Sequence, residues 1–110
     1  MKSIRENLKE KGVLVADGGW GTFLIAEGMQ PGECPELWNV QRPDVVRTIG
    51  ANYIAAGSDL ISTNSFGGTR CKLAAYGLEN RVGELNEAAA RLSREAAGPK
   101  GHVIASIGPT

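Results

Sequence analysis

Small, polar or acidic residues follow three short apolar stretches of the sequence, at residues 17–19, 63–67 and 106–110. In parallel α/β folds, functional groups gather at the C-terminal ends of the strands. If the three apolar stretches are parallel strands, the three polar segments lie together at one edge of the sheet. The sequence therefore predicts a rim at that edge that suits a small-molecule ligand.

The first of these segments, Asp17-Gly18-Gly19, offers the clearest chemistry. A carboxylate such as Asp17 suits the ammonium group of a ligand. The two glycines let the backbone approach a ligand and present N–H groups to an anion. Together these groups could hold both ends of an amino acid. A structural alternative stays open, in which Asp17 caps the following helix and the glycines only form a tight turn.

The second segment places Thr63, Asn64 and Phe66 at a strand end. Phe66 could pack against the aliphatic chain of a substrate, or it could belong to the core. Thr63 and Asn64 could line the same site, or they could satisfy backbone groups of the loop. In the third segment Ser106 is expected to be structural, since Gly108-Pro109 forms a rigid turn.

The remaining reactive side chains form no recognisable centre. Cys34 and Cys71 make no CxxC pair and have no second Cys or His at ligand spacing, so neither predicts a metal site. His102 begins an apolar stretch, at the end of a strand away from a parallel-sheet site, and is predicted to lie on the surface. Trp20 and Trp38 are predicted to be buried aromatics that pin loops. The residues alone do not name a reaction.

Helices and strands alternate along the chain. Strands are predicted near residues 13–16, 59–63 and 102–107, the first of them buried. Helices are predicted at 4–11 closed by Gly12, 21–26, 43 to a cap at Gly57, 70–76 and 82–96. This order predicts an α/β fold with about three parallel strands and intervening helices.

Composition excludes several classes of function. The chain has 110 residues, 42% of them hydrophobic and 22% charged, and its 12 basic and 12 acidic side chains give a formal net charge of +0. Neither a nucleic acid nor a membrane is an implied partner. The sequence shows no signal peptide or spanning segment, and unpaired cysteines suit the cytoplasm. A three-stranded sheet would leave an apolar face exposed, so we expect the chain to continue in the complete protein.

A series of segments, taken in order, resembles the homocysteine S-methyltransferases. This family includes the homocysteine-binding module of cobalamin-dependent methionine synthase. The resemblance is carried by DGGWGT (17–22), PELWN (35–39) with RPDVV (42–46), YIAAGSD (53–59), TNSFG (63–67), ELN (84–86) with residues 88–89, and SIGPT (106–110). Each motif is weak by itself, whereas the ordered series covers almost the whole chain.

The resemblance implies a (β/α)8 barrel of which residues 1–110 are the N-terminal part, about the first third. It implies that homocysteine binds at the C-terminal mouth. Asp17, Gly18 and Gly19 would hold its amino-acid end, and Phe66, with Thr63 and Asn64, would line the pocket. An alternative from a different class is a non-catalytic α/β module that binds an amino acid or a protein partner.

In this family the homocysteine thiolate coordinates zinc held by three cysteines. A free thiol has a pKa of ~8.5, and zinc deprotonates it so that sulfur can attack an activated methyl group. Neither Cys34 nor Cys71 falls in such a ligand motif, so all three ligands are expected beyond Thr110. The chain by itself is therefore expected to be inactive. Its methyl donor could be methylcobalamin on a corrinoid protein, S-methylmethionine or betaine.

Overall fold

The computed structural model describes residues 2–109, so Thr110 of the third polar segment lies outside the described residues. The described chain is α/β. Its α-helices are Ile4–Lys11 (α1), Gly21–Ala26 (α2), Trp38–Gln41 (α3), Pro43–Ala55 (α4), Arg70–Ala74 (α5) and Val82–Ala97 (α6). Two 3-10 helices, Pro35–Leu37 and Glu79–Arg81, precede α3 and α6, and the strands are Leu60–Ser62 (β1) and His102–Ile104 (β2).

Local sequence signals set the ends of the longer helices. Ser3 caps α1, since its hydroxyl accepts from the Glu6 N–H, and Gly12 closes the helix in the left-handed region at φ 79°. Pro43 occupies the first turn of α4, where its missing N–H costs nothing. Gly57, predicted as the cap of α4, follows its end at φ 114°. The predicted boundaries at Gly12, Pro43 and Gly57 are confirmed, whereas the cap at Ser3 was not predicted.

The strands β1 and β2 pair in parallel, with Ile61 opposite Val103. Helices α5 and α6 lie in the connection between the two strands. A crossover of this kind is what two parallel neighbours require, since a tight turn cannot return the chain to the same end of the sheet. The predicted α/β order is therefore confirmed for this unit.

The prediction of a buried strand at residues 13–16 is wrong. Ala16 forms a single parallel bridge to Leu60, and Asp17 N–H donates to the Leu60 carbonyl at 3.0 Å. One bridge does not make a strand, so the described sheet has two strands rather than about three. Val13 and Val15 are exposed, and neither belongs to the two buried clusters of the core.

The core lies between α4, α6 and the strands. Leu24, Trp38, Val46, Ile49 and Leu92 form one buried cluster, and a second consists of Cys34, Leu73 and Leu85. The helix predicted at 82–96 is confirmed as α6, and Leu85, Ala89 and Leu92 lie on its buried face. Gly50 lets α4 approach closely, because a Cβ there would lie 3.0 Å from both Ala96 Cβ and Ile61 Cδ1.

Two predictions about single side chains are corrected by packing. His102 is buried rather than on the surface, and its Nε2 lies 2.7 Å from Asn7 Nδ2, because α1 covers the start of β2. Trp38 is buried as predicted, whereas Trp20 is only half-buried. Within residues 2–109, no helix is long and apolar enough to cross a membrane.

Candidate functional site

A cleft of about 510 Å³ opens at the C-terminal ends of the strands. Its volume is within the range of small-molecule sites, roughly 300–1,000 Å³. Four of the six predicted site residues line this cleft, namely Gly18, Thr63, Asn64 and Phe66. Asp17 and Gly19 are not among the residues that line it. The structure therefore brings the first two polar segments together, with Ser106 of the third beside them.

The Asp17 carboxylate ties the first segment to β1. Its Oδ2 accepts from the Trp20 indole N–H at 2.7 Å and from Ser62 N–H at 2.8 Å. Its Oδ1 accepts from Ser62 Oγ at 3.1 Å. Asp17 does not cap α2, which begins after Trp20 without a side-chain cap. The capping alternative for Asp17 is thus wrong, whereas its role towards a ligand stays a prediction.

The two glycines of this segment lie against Tyr53 of α4. The Tyr53 hydroxyl donates to the Gly19 carbonyl, and it lies 3.2 Å from where a Cβ of Gly18 would be. Gly18 therefore allows a close approach that a larger residue would crowd. Sequence reasoning assigned Tyr53 to a helix face and missed this contact.

Thr63 and Asn64 are both buried, and their polar atoms are bonded within the chain. Thr63 Oγ1 accepts from Ser106 N–H at 3.0 Å, which joins the second and third segments. Asn64 exchanges hydrogen bonds with Asn39 of α3: Asn64 Nδ2 donates to Asn39 Oδ1, and Asn39 Nδ2 donates to the Asn64 carbonyl, each at 2.9 Å. This pair fixes the floor of the cleft.

Phe66 is 62% exposed, so the alternative that placed it in the core is wrong for this chain. Its ring lies at the cleft with Lys72 of α5 and Tyr76 of the turn after α5. An aromatic pair beside a single cation suits a ligand that has both an apolar chain and an anionic end. No motif in the sequence pointed to Lys72 and Tyr76 as site residues, and the fold brings them to the cleft.

Glu36 is the main residue that sequence reasoning missed. It is 5% exposed, yet it carries a carboxylate that lines the cleft. Its Oε2 accepts from Gly67 N–H at 3.0 Å, and its Oε1 accepts from the Cys34 thiol at 3.4 Å. The only sequence signal was its place in the PELWN segment.

The cysteines do not fit a zinc site. Cys34 is buried and Cys71 is exposed on α5. Burial raises the pKa of the Cys34 thiol, and the neighbouring Glu36 carboxylate adds to this effect. Metal-binding cysteine is a thiolate, which this environment disfavours. Nowhere in the described part of the chain do three His, Cys, Asp or Glu side chains gather as metal ligands would.

Comparisons with known proteins identify the family to which this chain belongs. The sequence profile described as Homocysteine S-methyltransferase matches residues 14–110. The chain belongs to the homocysteine S-methyltransferase family. It is 34% identical to methionine synthase of Mycobacterium tuberculosis and 32% identical to that of Mycobacterium leprae, in each case over 88% of this chain and 9% of the relative.

The fold is similar to that of a solved homocysteine methyltransferase. The structure of MmuM from Escherichia coli, in its metallated form, superposes with a TM-score of 0.83 at 28% sequence identity. The superposition covers 96% of this chain and 41% of MmuM. This homocysteine S-methyltransferase family chain thus spans less than half of the solved relative and about a tenth of the two methionine synthases.

Proposed function

We propose that the cleft binds homocysteine, and that this chain forms the N-terminal part of a (β/α)8 barrel that transfers a methyl group to the homocysteine thiol. The observation that carries the proposal is the meeting of Gly18, Thr63, Asn64 and Phe66 around one cleft. These residues lie within residues 14–110, the part of the chain that matches the family profile. The 41% coverage of MmuM supports the correspondence with part of a larger domain.

Residues that line the cleft, together with Asp17 and Gly19 next to them in sequence, offer a separate partner for each part of homocysteine. Asp17 Oδ1 accepts one hydrogen bond among the described residues, from Ser62 Oγ, and retains acceptor capacity for an ammonium group. The backbone of Gly18 and Gly19 can approach the carboxylate of the ligand. The exposed ring of Phe66 supplies an apolar wall for the two methylene groups. We propose these roles for the four residues.

The reaction converts homocysteine to methionine. The thiol loses its proton, sulfur forms a bond to the methyl carbon, and the bond between that carbon and the donor breaks. Zinc, when bound in a family enzyme, would favour the thiolate. The described residues do not supply its ligands, so the role proposed for this chain is to bind and orient the amino acid.

The donor and the setting of the reaction are further parts of the proposal. We propose that a corrinoid protein presents the methyl group in the cytoplasm, and the two methionine synthases among the relatives support this choice. The chain by itself is expected to bind homocysteine without forming methionine. Mass spectrometry of a mixture of chain, homocysteine and methylcobalamin checks this, since turnover by the chain would contradict the proposed division of roles.

The binding role is tested by calorimetric titration of the chain with L-homocysteine. Replacing Asp17 with Asn removes a charged acceptor, which is worth about 1.5–3 kcal/mol and corresponds to roughly 10- to 150-fold weaker binding. Asp44→Asn is the matched control, because Asp44 is exposed on α4 and pairs with Arg47. The control is expected to bind homocysteine within about twofold of the unaltered chain, by the small effect typical of exposed pairs.

Two outcomes would contradict the proposal. One is the absence of saturable homocysteine binding by a folded chain. The other is equal weakening by Asp17→Asn and Asp44→Asn, which would show a general effect of charge. L-Alanine, which lacks the thiol and one methylene group, is expected to bind more weakly, because it cannot contact Phe66 in the same way.

A further inference from the structure

The turn at residues 63–68 is held by side chains from two other elements. Glu36, in the 3-10 helix before α3, accepts from Gly67 N–H at 3.0 Å. Asn86 of α6 donates to the Gly68 carbonyl at 2.9 Å. Phe66 forms the aromatic wall of the cleft. In the sequence it follows the buried residues 63–65 and precedes Gly67 and Gly68, which Glu36 and Asn86 hold. Its position therefore depends on contacts that do not involve its own side chain.

The fit around Gly67 is tight. A Cβ at Gly67 would lie 3.1 Å from Glu36 Oε1 and 3.3 Å from Oε2. At Gly68 a Cβ would lie 2.9 Å from Asn86 Oδ1. The two glycines thus leave room for the side chains that hold the turn. Glu36 and Asn86 therefore both pack closely against the turn and form hydrogen bonds with it, and both kinds of contact limit its movement.

The carboxylate of Glu36 is a costly group to bury. An ionised carboxylate out of contact with water needs hydrogen bonds to offset its desolvation. The described structure gives it the Gly67 amide and the Cys34 thiol, and no salt bridge from Lys or Arg. A leucine there would fill similar space without the cost, but it could not hold the Gly67 amide.

We propose that Glu36 is a positioning residue, which holds the Gly67 amide so that Phe66 faces the amino-acid ligand in the cleft. The inference rests on the proposed function for its ligand, but the contact with Gly67 can be tested separately. Glu36 acts as a hydrogen-bond acceptor in this role, not as the charge that pairs with the ligand's ammonium group. An amide oxygen should therefore replace its carboxylate, whereas a methyl group should not.

The experiment compares Glu36→Gln, Glu36→Ala and the unaltered chain by two measurements. Hydrogen exchange of the Gly67 amide, followed by NMR, reports the contact itself. Titration with L-homocysteine reports its effect on the ligand. Glu36→Ala is expected to speed Gly67 exchange at least tenfold and weaken homocysteine binding about tenfold. Glu36→Gln is expected to stay within about threefold in both. Glu84→Gln, at an exposed position on α6, is the control for loss of a carboxylate and should change neither.

Gly67→Ala tests the steric part, and its effect in the unaltered and Glu36→Gln backgrounds can be measured even if Glu36→Ala folds poorly. Gly67→Ala is expected to displace the carboxylate and weaken homocysteine binding about tenfold in the unaltered background. In the Glu36→Gln background it should weaken binding to a similar extent, because the amide occupies the same space. In the Glu36→Ala background it should add less than twofold. No weakening by Gly67→Ala in the unaltered background, or a further tenfold weakening in the Glu36→Ala background, would overturn the proposal.

Other results separate the two ideas. If Glu36→Gln weakens binding as much as Glu36→Ala while Gly67 exchange stays slow, Glu36 acts through its charge and the positioning role is wrong. If Gly67 exchange is unchanged in Glu36→Ala, the contact does not hold the turn and the proposal is overturned. If the unaltered chain does not bind homocysteine, the proposed function fails, whereas the Gly67 exchange rates still decide whether Glu36 holds the turn.

Discussion

Residues 63–65 and residues 2–19, two segments that each bring a polar strand-end group to the cleft, differ in how they are supported. Residues 63–65 are buried and hydrogen-bonded to α3 and to the segment after β2. By contrast, residues 2–19 contain no buried residue, and their link to the sheet is a single bridge with a few hydrogen bonds. The difference shows that a polar segment is fixed when elements cover it from two directions. Where no element packs on the side chains, apolar residues such as Val13 stay exposed.

The largest effect on stability is expected when a buried leucine, rather than an exposed one, is replaced with alanine. Leu85 is fully buried in α6, whereas Leu8 of α1 is 46% exposed. Leu85→Ala removes buried methyl groups and leaves a cavity, so we expect it to lower the free energy of unfolding by about 2–5 kcal/mol. Leu8→Ala should change it by about 0.5 kcal/mol or less. Urea unfolding followed by circular dichroism measures both, and similar losses would contradict the contrast between the two segments.

The next effect concerns the buried amide pair. Asn39→Ala removes the partner of Asn64 and also leaves the Leu85 carbonyl without the Asn39 amide, 3.1 Å away. Unpaired buried polar groups cost about 1–3 kcal/mol, so we expect a loss of stability of that size. Asn52→Ala, on the exposed side of α4, is the matched control and should have a small effect. Equal losses in the same unfolding assay would show that the pair does not fix the turn.

A smaller, pH-dependent effect is expected in residues 2–19. The Lys11 ammonium and the Val15 N–H hold the pKa of Asp59 below its usual range. The unfolded chain then binds a proton first as pH falls, so this contribution is present above about pH 4 and is lost below it. Hydrogen exchange should therefore show α1 opening more often near pH 3 than near pH 6.

The Asp59→Asn variant provides the control for that measurement. It should reduce the pH dependence of α1 opening while leaving the exchange of α6 unchanged, because α6 is held by its buried face. If α1 opens equally at both pH values in the unaltered chain, the Asp59 contacts do not hold α1 against the sheet.

The smallest effect is a difference in reactivity between the two thiols. Cys71 is exposed, whereas burial raises the pKa of Cys34 above that of an ordinary thiol. The thiolate is the reactive form, so iodoacetamide at pH 7.5 should modify Cys71 first and Cys34 only after unfolding. Because Cys34 keeps its proton longer in the folded chain, stability should fall as pH rises above about 8.5. Peptide mass mapping that found Cys34 modified first would contradict its burial.

The fold was largely predictable because its signals are local. The cap at Gly12, Pro43 in the first turn of α4 and the apolar spacing of α6 depend on neighbouring residues only. The strand prediction at 13–16 was wrong because an apolar run indicates burial only where a neighbour covers it. His102 was predicted to lie on the surface because the sequence does not reveal that α1 covers the start of β2.

The site was predictable in position rather than in detail. Their positions after predicted strands identified Gly18, Thr63, Asn64 and Phe66 as site residues, and all four line the cleft. The roles of Glu36, Lys72 and Tyr76 could not be predicted, since only the folded chain brings them to the cleft beside residues 63–67. The structure was also needed to exclude Asp17 as a helix cap, because the Asp17 carboxylate accepts hydrogen bonds from Ser62 and Trp20 instead.

The measurement that tests the central claim most directly is an NMR titration of the ¹⁵N-labelled chain with L-homocysteine. We expect saturable amide shifts at residues 17–19 and 63–67, in the two segments that reach the cleft. Residues 4–11 of α1, at the other end of the sheet, should stay unchanged. Shifts confined to α1, or no saturable shift in a folded chain, would contradict binding of homocysteine at the strand ends.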